Sequence, residues 1–547
     1  MTTGMADGKA GGGSPWAPFG HRAFALLWVA TLVSNIGTWM HDVGAGWLMT
    51  NLAPSPAIVS LVQAATTLPI FLFALPAGAI ADRADKRRFL IAINLGLAVV
   101  VSTVALLTAL ERMTPVLLLA LTFAIGMGTA FMAPAWQAVV PMLVPRRDLP
   151  AAIALNSMGI NISRAIGPAL AGLLITAVGL AAPFWVNAAS YLVILAALLA
   201  WKPPLAPKRD LPPEPFFGSM LTGLRHARRN AALKATMLRA FAFFLFASAY
   251  WALLPLVARA LPGHGAVSYG VLLAAIGCGA VGGALVLPKL KKRVDANRLA
   301  AAGALCSATA MVIFALAQQL LLALPAAILG GAGWIVVLTS LNLSAQTALP
   351  DWVRARGLSL TLMVFFGCMA LGSILWGQVA AHSSIRIALL IAAGCLVLAL
   401  VLVRRVKLGG ADGHDLSAAM AWDAPYVHAE VDAHPDRGPV MVTVTYRIDT
   451  GDMEGFLKAM QVLSQERYRD GAHDWGIYQD AADPRIWLEW FLLPSWAEHL
   501  RQHARVTHHD IDLHQAVRTF HRGEAPPEVR HFLAPLRQRP NKKGSRT

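Results

Sequence analysis

The feature that most constrains this chain is where its charges are not. They are clumped so as to leave windows of 18–25 residues almost free of charge. Each window is long enough to cross a hydrocarbon core of ~30 Å as a helix. A helix on a soluble core would carry a polar stripe, and these windows carry none. With 56% of 547 residues apolar and 14% charged, at a mean hydropathy of +0.55, a soluble fold is excluded. Twelve spans are expected, near 24–49, 57–80, 89–110, 115–140, 151–176, 182–201, 236–258, 267–287, 298–317, 320–344, 357–380 and 385–403. The stretch GAIADRADKRR (78–88), with two acids and four bases between apolar runs, is then a loop between spans.

Lys and Arg set the orientation. The even-numbered connections are basic: Arg83 and Lys86 to Arg88, then Arg146 and Arg147, the segment 202–234, Lys289 to Arg293, and Arg354 with Arg356. The odd-numbered ones hold little beyond Arg112, Arg259 and Arg386. The basic side faces the cytoplasm, with both termini inside. Much of the net charge of +16 is this bias, so nucleic acid is not an expected partner; anionic lipid is. The polar, Gly-rich residues 1–20 read as a flexible tail and not as a signal peptide. The four cysteines (Cys278, Cys306, Cys368, Cys395) fall within spans without metal spacing.

A repeat organises the spans. At an offset of about 205 residues, Gly78 falls on Gly283, Gly126 and Gly128 on Gly331 and Gly333, Pro145 on Pro350, and Gly167 and Gly172 on Gly372 and Gly377. Two six-helix halves in the same orientation follow, at 21–201 and 234–407, joined by a Pro-rich linker at 202–233.

Twelve spans in two parallel halves resemble the major facilitator superfamily. The resemblance implies a substrate site near mid-membrane between halves that rock about it. Gly78, Asp82, Arg83, Lys86, Arg87 and Arg88 match that family's loop between spans 2 and 3. By resemblance they form a latch on the cytoplasmic side; Asp85 stands where the family usually has Gly, and the second copy lacks the acid. Span 5, ALNSMGINISRAIGPALAGLL, is similar to the exporter subgroup that includes the enterobactin exporter, the transmembrane secretion effector family. The carriers are Asn156, Ser157, Asn161, Arg164, Gly167, Pro168 and Gly172, joined in span 1 by Asn35, Gly37, Trp39 and Trp47. Gly167, Pro168 and Gly172 give a small, bendable face where the halves meet.

An arginine at mid-membrane costs at least ~2.5 kcal/mol and should face a polar cavity or a partner. Arg164 lies about 14 residues into span 5, or ~20 Å from its start. Asp42, beside His41 in the outer part of span 1, is within reach of it if the family packing holds. Asn35, Thr38, Gln63, Asn161 and Gln346 are further candidates for lining the path, and Trp136, Tyr250, Trp251 and Trp334 for stacking. Proton-driven drug exporters commonly carry an Arg where this chain has Thr122, which leaves Asp42, His41 and Arg164 as coupling candidates. No Walker loop is visible.

Past a polar linker at 408–437, residues 438–535 alternate strand and helix patterns: PVMVTVTYRI, a helix from Met453, the strand pair HDWGIYQD and RIWLEWFLL, then a helix from Ser495. This order resembles the ferredoxin-like fold of antibiotic-biosynthesis monooxygenase domains, which pair as dimers; residues 536–547 read as a disordered basic tail. His499 and His503 are read as part of a solvated basic helix, followed by His508, His509 and His514. No metal site, cofactor or catalytic residue is assigned. The expected fold is an all-α membrane protein of two six-helix halves with a small cytoplasmic α+β domain. The expected function is secondary export of a small amphipathic molecule (siderophore, drug or secondary metabolite), with protons as coupling ion. The expected partners are that substrate, membrane lipids, and a second copy through the tail. The alternative is a membrane-tethered enzyme whose tail modifies or sequesters the cargo.

Overall fold

The computed structural model describes residues 14–203, 216–262, 265–409, 415, 417, 419 and 437–535. The expected tails at 1–13 and 536–547 and most of the linker at 408–437 lie outside the described residues. Two compact units divide the chain: residues 1–212, 237–341 and 361–407 form one, and residues 213–236, 342–360 and 408–547 the other.

The first unit is a helix bundle. Its helices are α1 (Arg22–Leu52), α2 (Pro56–Arg83), α3 (Lys86–Ala109), α4 (Pro115–Leu143), α5 (Leu149–Ala177) and α6 (Ala182–Ala200). After the short α7 (Phe216–Arg229) come α8 (Ala231–Ala260), α9 (Gly265–Lys291), α10 (Ala296–Leu316), α11 (Leu320–Thr347), α12 (Asp351–His382) and α13 (Ile385–Leu402). Twelve of these, all but α7, are long and apolar enough to cross a membrane, as expected. Their starts follow local chemistry: Asp85, Thr114, Asp295 and Ser384 cap α3, α4, α10 and α13 through side-chain oxygens. Pro56 and Pro115 sit at the first turns of α2 and α4, where a missing N–H costs nothing. Residues 14–20, expected in the flexible tail, are instead packed: Phe19 lies edge-on to Trp28 at 5.0 Å, because two aromatic rings in a short stretch find an apolar helix face.

The repeat is legible in the packing. A methyl group at Gly126 of α4 would meet the Thr66 carbonyl of α2; at Gly331 of α11 it would meet the Ile276 carbonyl of α9. Gly128 backs onto Leu97 of α3, and Gly333 onto the Gly303 carbonyl of α10. Gly167 meets Trp39 and the Ile36 carbonyl of α1, and Gly372 meets Ser248 and the Leu245 carbonyl of α8. Each half thus uses the same small residues to seat the same helix pairs. Gly78 and Gly283 break the symmetry: nothing lies within 4 Å of a side chain added at the first, whereas the second is packed on α11.

The second unit holds a sheet domain: β1 (Val440–Arg447), α14 (Met453–Arg469), β2 (Asp474–Gln479), β3 (Ile486–Leu493), α15 (Trp496–Arg505), α16 (His508–Arg518) and β4 (Glu528–Leu533). The sheet is antiparallel in the order β2-β3-β1-β4, with Thr443 opposite Trp490 on one side and Arg530 on the other. The order of elements along the chain is βαββααβ. Val440, Val442, Phe491, Leu493 and Trp496 form one part of its core, and Tyr446, Phe456, Met460, Leu463 and Trp487 the other. The long helical pattern from Ser495 is two helices, because Thr507 and Asp510 form a reciprocal capping box that starts α16. β4 was not expected: its sequence, EVRHFL, is short and half polar.

Within the same unit α7 lies on α14. Arg225 donates to the Gly471 carbonyl at 3.1 Å, and Arg229 to Gln465 at 2.8 Å while covering the Tyr468 ring. Asn230 donates to the Ala348 carbonyl at 2.7 Å, and Arg505 lies 4.7 Å over Trp352 at the start of α12. Segment 213–236 is therefore grouped with the tail domain and not free between the halves.

Candidate functional site

The basic loop that suggests a latch is tied into its own half. Asp85 caps α3 by accepting from the Arg88 amide at 2.8 Å. Lys86 donates to the Ala81 and Ala84 carbonyls at the end of α2. Arg87 donates to Leu198 and Leu199 carbonyls at 2.8 and 2.6 Å, closing the end of α6. Cations on helix C-termini satisfy both the orphan carbonyls and the macrodipole. The side chains of Asp82 and Arg83 lie outside the described residues. Sequence reasoning missed a second tie at this end: His21 meets Asp148 at 3.0 Å, and Trp28 donates to the Leu155 carbonyl at 2.9 Å, fastening α1 to α5.

The halves approach one another in the part of the bundle remote from the basic loops. Gly270 of α9 lies under the Pro168 carbonyl of α5, and Gly172 of α5 under the Ala266 carbonyl of α9. Gly377 of α12 meets Ser60 of α2 in the repeat-related crossing, and Gly367 meets Phe71. At the far end Arg259 of α8 donates to the Thr50 carbonyl and, at 3.2 Å, to Asn51 of α1. Gly167, Pro168 and Gly172 therefore sit on the face along which α5 crosses α1 and α9.

Arg164 lies one turn before that face. Its guanidinium covers the Trp39 ring at 5.5 Å, its Nε is buried without a hydrogen-bond partner, and it is electrostatically coupled to the Tyr250 phenol of α8. Tyr250 belongs to an aromatic cluster: Trp334 stands 6.1 Å from it, 5.3 Å from Trp251 and 5.2 Å from Phe244, and Phe365 closes on Phe244 at 4.5 Å. The Tyr250 hydroxyl and the Trp251 indole N–H are also buried, with no partner other than each other. So α1 and α5 present a cation on an indole, and α8, α11 and α12 present aromatic walls with unused polar atoms. Three of the four expected stacking residues meet here; Trp136 is half-buried on α4.

The other expected polar residues disperse. No ion pair joins Arg164 to Asp42 among the described residues. Asp42 is instead electrostatically coupled to Tyr191 of α6 and Tyr269 of α9. His41 is buried edge-on to Phe184 at 4.9 Å, with neither ring nitrogen hydrogen-bonded. Thr38 donates to the Ser34 carbonyl and Asn161 to the Ser157 carbonyl, each within its own helix. Asn35 and Gln63 are half-buried, and Gln346 is exposed near the end of α11, in the second unit. Thr122 is buried with its hydroxyl unpartnered.

The tail domain has its own cavity, of about 270 Å³. Val442, Val444 and Tyr446 of β1 floor it; Arg467 and Phe491, His499, Gln502 and His503, and His531 wall it. The expectation of a solvated helix for His499 and His503 is corrected here. His499 is 2% exposed and turns inward with His503, because α15 packs Trp496 into the core and one turn onward the same face is still internal. Burial, with His503 and His531 beside it, pushes His499 down to about 3; burial likewise takes His503 to about 4 and lowers His531. All three are neutral near pH 7. Beneath them a buried Glu489 accepts from Arg467 at 3.0 Å, Trp475 at 3.1 Å and Tyr446 at 3.1 Å. Glu466 is buried too; although burial pushes the other way, Arg467 and His514 beside it hold its carboxyl down at about 2.

The family profile described as transmembrane secretion effector fits residues 13–540. The enterobactin exporter EntS of Shigella boydii is 26% identical over 71% of this chain and 94% of its own length. The staphyloferrin A transporter of Staphylococcus aureus is 26% identical over 47% of this chain, and macrolide efflux protein A of Streptococcus pyogenes 24% identical over 43%. The chain spans 65% and 58% of those two relatives. Among solved structures, an inward-facing bacterial homologue of the lysosomal transporter Spinster superposes with a TM-score of 0.56 at 15% identity, over 71% of this chain and 97% of that one. A POT family transporter in complex with a thioalcohol-conjugated peptide superposes with a TM-score of 0.60 at 12% identity, over the same shares. These structural likenesses concern the fold of the helix bundle.

Proposed function

The chain belongs to the transmembrane secretion effector family of the major facilitator superfamily, and from that premise we propose that it exports a small amphipathic molecule across the bacterial inner membrane. It is a multi-pass membrane protein, and the basic ends of its helices face the cytoplasm together with both termini. The crossings of α5 on α9 and α12 on α2, with Arg259 on α1, close the outer end. Transport proceeds by alternating access, with the small residues of these crossings as the surface that opens.

The observation that carries the reading is Arg164. Its guanidinium sits on Trp39 and within electrostatic reach of Tyr250, beside an aromatic wall. A cation flanked by indole and phenol rings suits an anionic or polar head on an aromatic or apolar body, by charge and by stacking. The names of the relatives, an enterobactin exporter, a staphyloferrin A transporter and a macrolide efflux protein, support a siderophore or a drug as the cargo. Protons supply the driving force, with Asp42 near Tyr191 and Tyr269 as the group that takes them up. The outer sheet face of the tail carries Leu488, Trp490, Tyr478 and Phe532 and pairs two copies.

The test is uptake into inside-out vesicles under an imposed proton gradient, screened with catecholate and carboxylate siderophores and with macrolides. Gradient-dependent accumulation of one of them, abolished by Arg164→Met, is expected. Accumulation that ignores the gradient would remove proton coupling; accumulation unaffected by Arg164→Met would remove the site. A second reading, that the tail acts on the cargo, is favoured by its partly open cavity of about 270 Å³.

A further inference from the structure

The tail-domain cavity collects three imidazoles from two elements. His499 and His503 are one turn apart on α15, and His531 comes from β4, one of the two edge strands. The His499 ring centroid is 4.7 Å from each of the other two. One ligating nitrogen from each residue can be chosen so that all three lie within 4.8 Å of one another. His499 is 2% exposed; Gln502 is the side chain that reaches one of its ring nitrogens, and the other has no hydrogen-bond partner. A buried polar group left unpaired is costly, and such a group on a cavity wall points to something that fills it.

We propose that His499, His503 and His531 bind a divalent transition-metal ion whose fourth coordination position opens onto the tail-domain cavity. Neutral imidazoles suit zinc, cobalt, nickel, copper and iron, and do not suit magnesium or calcium. Metal–nitrogen bonds of ~2.0–2.1 Å in a tetrahedral site put ligand nitrogens ~3.3 Å apart, so a small rotation of the rings closes the site. Three protein ligands with one open position is the arrangement of reactive rather than structural zinc sites. Gln502, on the same helix as His499 and next to it in the cavity wall, is placed to accept the proton of the non-ligating nitrogen. Beside its aliphatic and aromatic residues the remaining wall carries Arg467, His514 and Arg518, so the open position suits a small oxygen donor such as water or a carboxylate.

The experiment uses the full-length chain in detergent, purified on a tag without histidine, stripped with a chelator and titrated with Co²⁺. Expected are about one ion per chain and the intense visible absorption of tetrahedral nitrogen-bound cobalt. His499→Phe keeps a ring in the buried position, and it should weaken binding at least tenfold, as should His531→Phe. His382→Ala, in the helix bundle, should bind as the unaltered chain does. A readout that needs no variant is carbethoxylation of His503 and His531, which Zn²⁺ should block. Cobalt that stays bound in both Phe variants, or histidines modified equally with and without Zn²⁺, would overturn the site and leave the three rings as packing alone.

Discussion

Gly270→Ala tests the proposal that the crossing of α5 on α9 closes the outer end. A Cβ at this position would lie 2.5 Å from the Pro168 carbonyl oxygen and 3.1 and 3.2 Å from Gly172 Cα and N. All three atoms are α5 backbone, so no side chain can swing away. A carbon–oxygen approach is comfortable near ~3.3 Å, which leaves the contact about 0.8 Å short. Closing that gap means separating α5 from α9 along their whole contact, and overpacking of this kind costs ~1–3 kcal/mol. If the crossing exists in the outer-closed state and loosens in the other, the whole cost falls on one state. The equilibrium then shifts ~5–150-fold toward outer-open. Gly172→Ala makes a graded companion, since its nearest contact, the Ala266 carbonyl, would be 3.0 Å away. Gly96→Ala, with nothing within 4 Å, is the control. Spin labels at Ala53 and Ala260, in a chain whose four cysteines are replaced, report the outer distance directly. The population at long distance should rise in the order Gly96→Ala, Gly172→Ala, Gly270→Ala. Unchanged distances and unchanged thermal stability in Gly270→Ala would refute the reasoning, because a methyl group would then have been accommodated where the backbone leaves no room.

Because no ion pair joins Arg164 to Asp42, the losses of membrane protein level in Arg164→Met and Asp42→Asn should add in the double mutant; recovery in the double would show a pair after all. In the tail domain, Glu489→Gln removes one of the two carboxylates at the buried Arg467, Glu466 remaining at 3.6 Å, and should destabilise the domain by ~1–3 kcal/mol, read as lost hydrogen-exchange protection of β1 and β3 in the full chain; unchanged protection would mean the network is slack. His226 on α7 is buried against Trp352, and burial, with Arg469 and Arg505 nearby, takes it from 6.5 down to about 3. A group so depressed contributes its full share to the docked state above pH 6.5 and loses it as pH falls toward 3, so α7 amides should exchange faster at pH 5 than at pH 7 after correction for intrinsic rates. His226→Phe should flatten that dependence.

The number of spans and their division into halves are legible in the chain because crossing a bilayer is a local demand. Each helix must satisfy its own backbone and present apolar side chains over a fixed length, and both are written residue by residue. The glycines at the 205-residue offset could be read for the same reason: close helix contact needs a small residue wherever it occurs. In the tail, β1 to β3 were visible as alternation, whereas β4 was not, since half of EVRHFL is polar and only pairing with β1 makes it a strand. What the tertiary structure decided is which way side chains face. Arg164 turns to Trp39 and Tyr250 rather than to Asp42, and His499 turns into a cavity rather than to solvent. Helical spacing fixes which residues share a face, but it does not say whether that face meets water, lipid or another element. That depends on neighbours far along the chain, as with Arg164 and Tyr250, or on a strand as faint in the sequence as the one that carries His531.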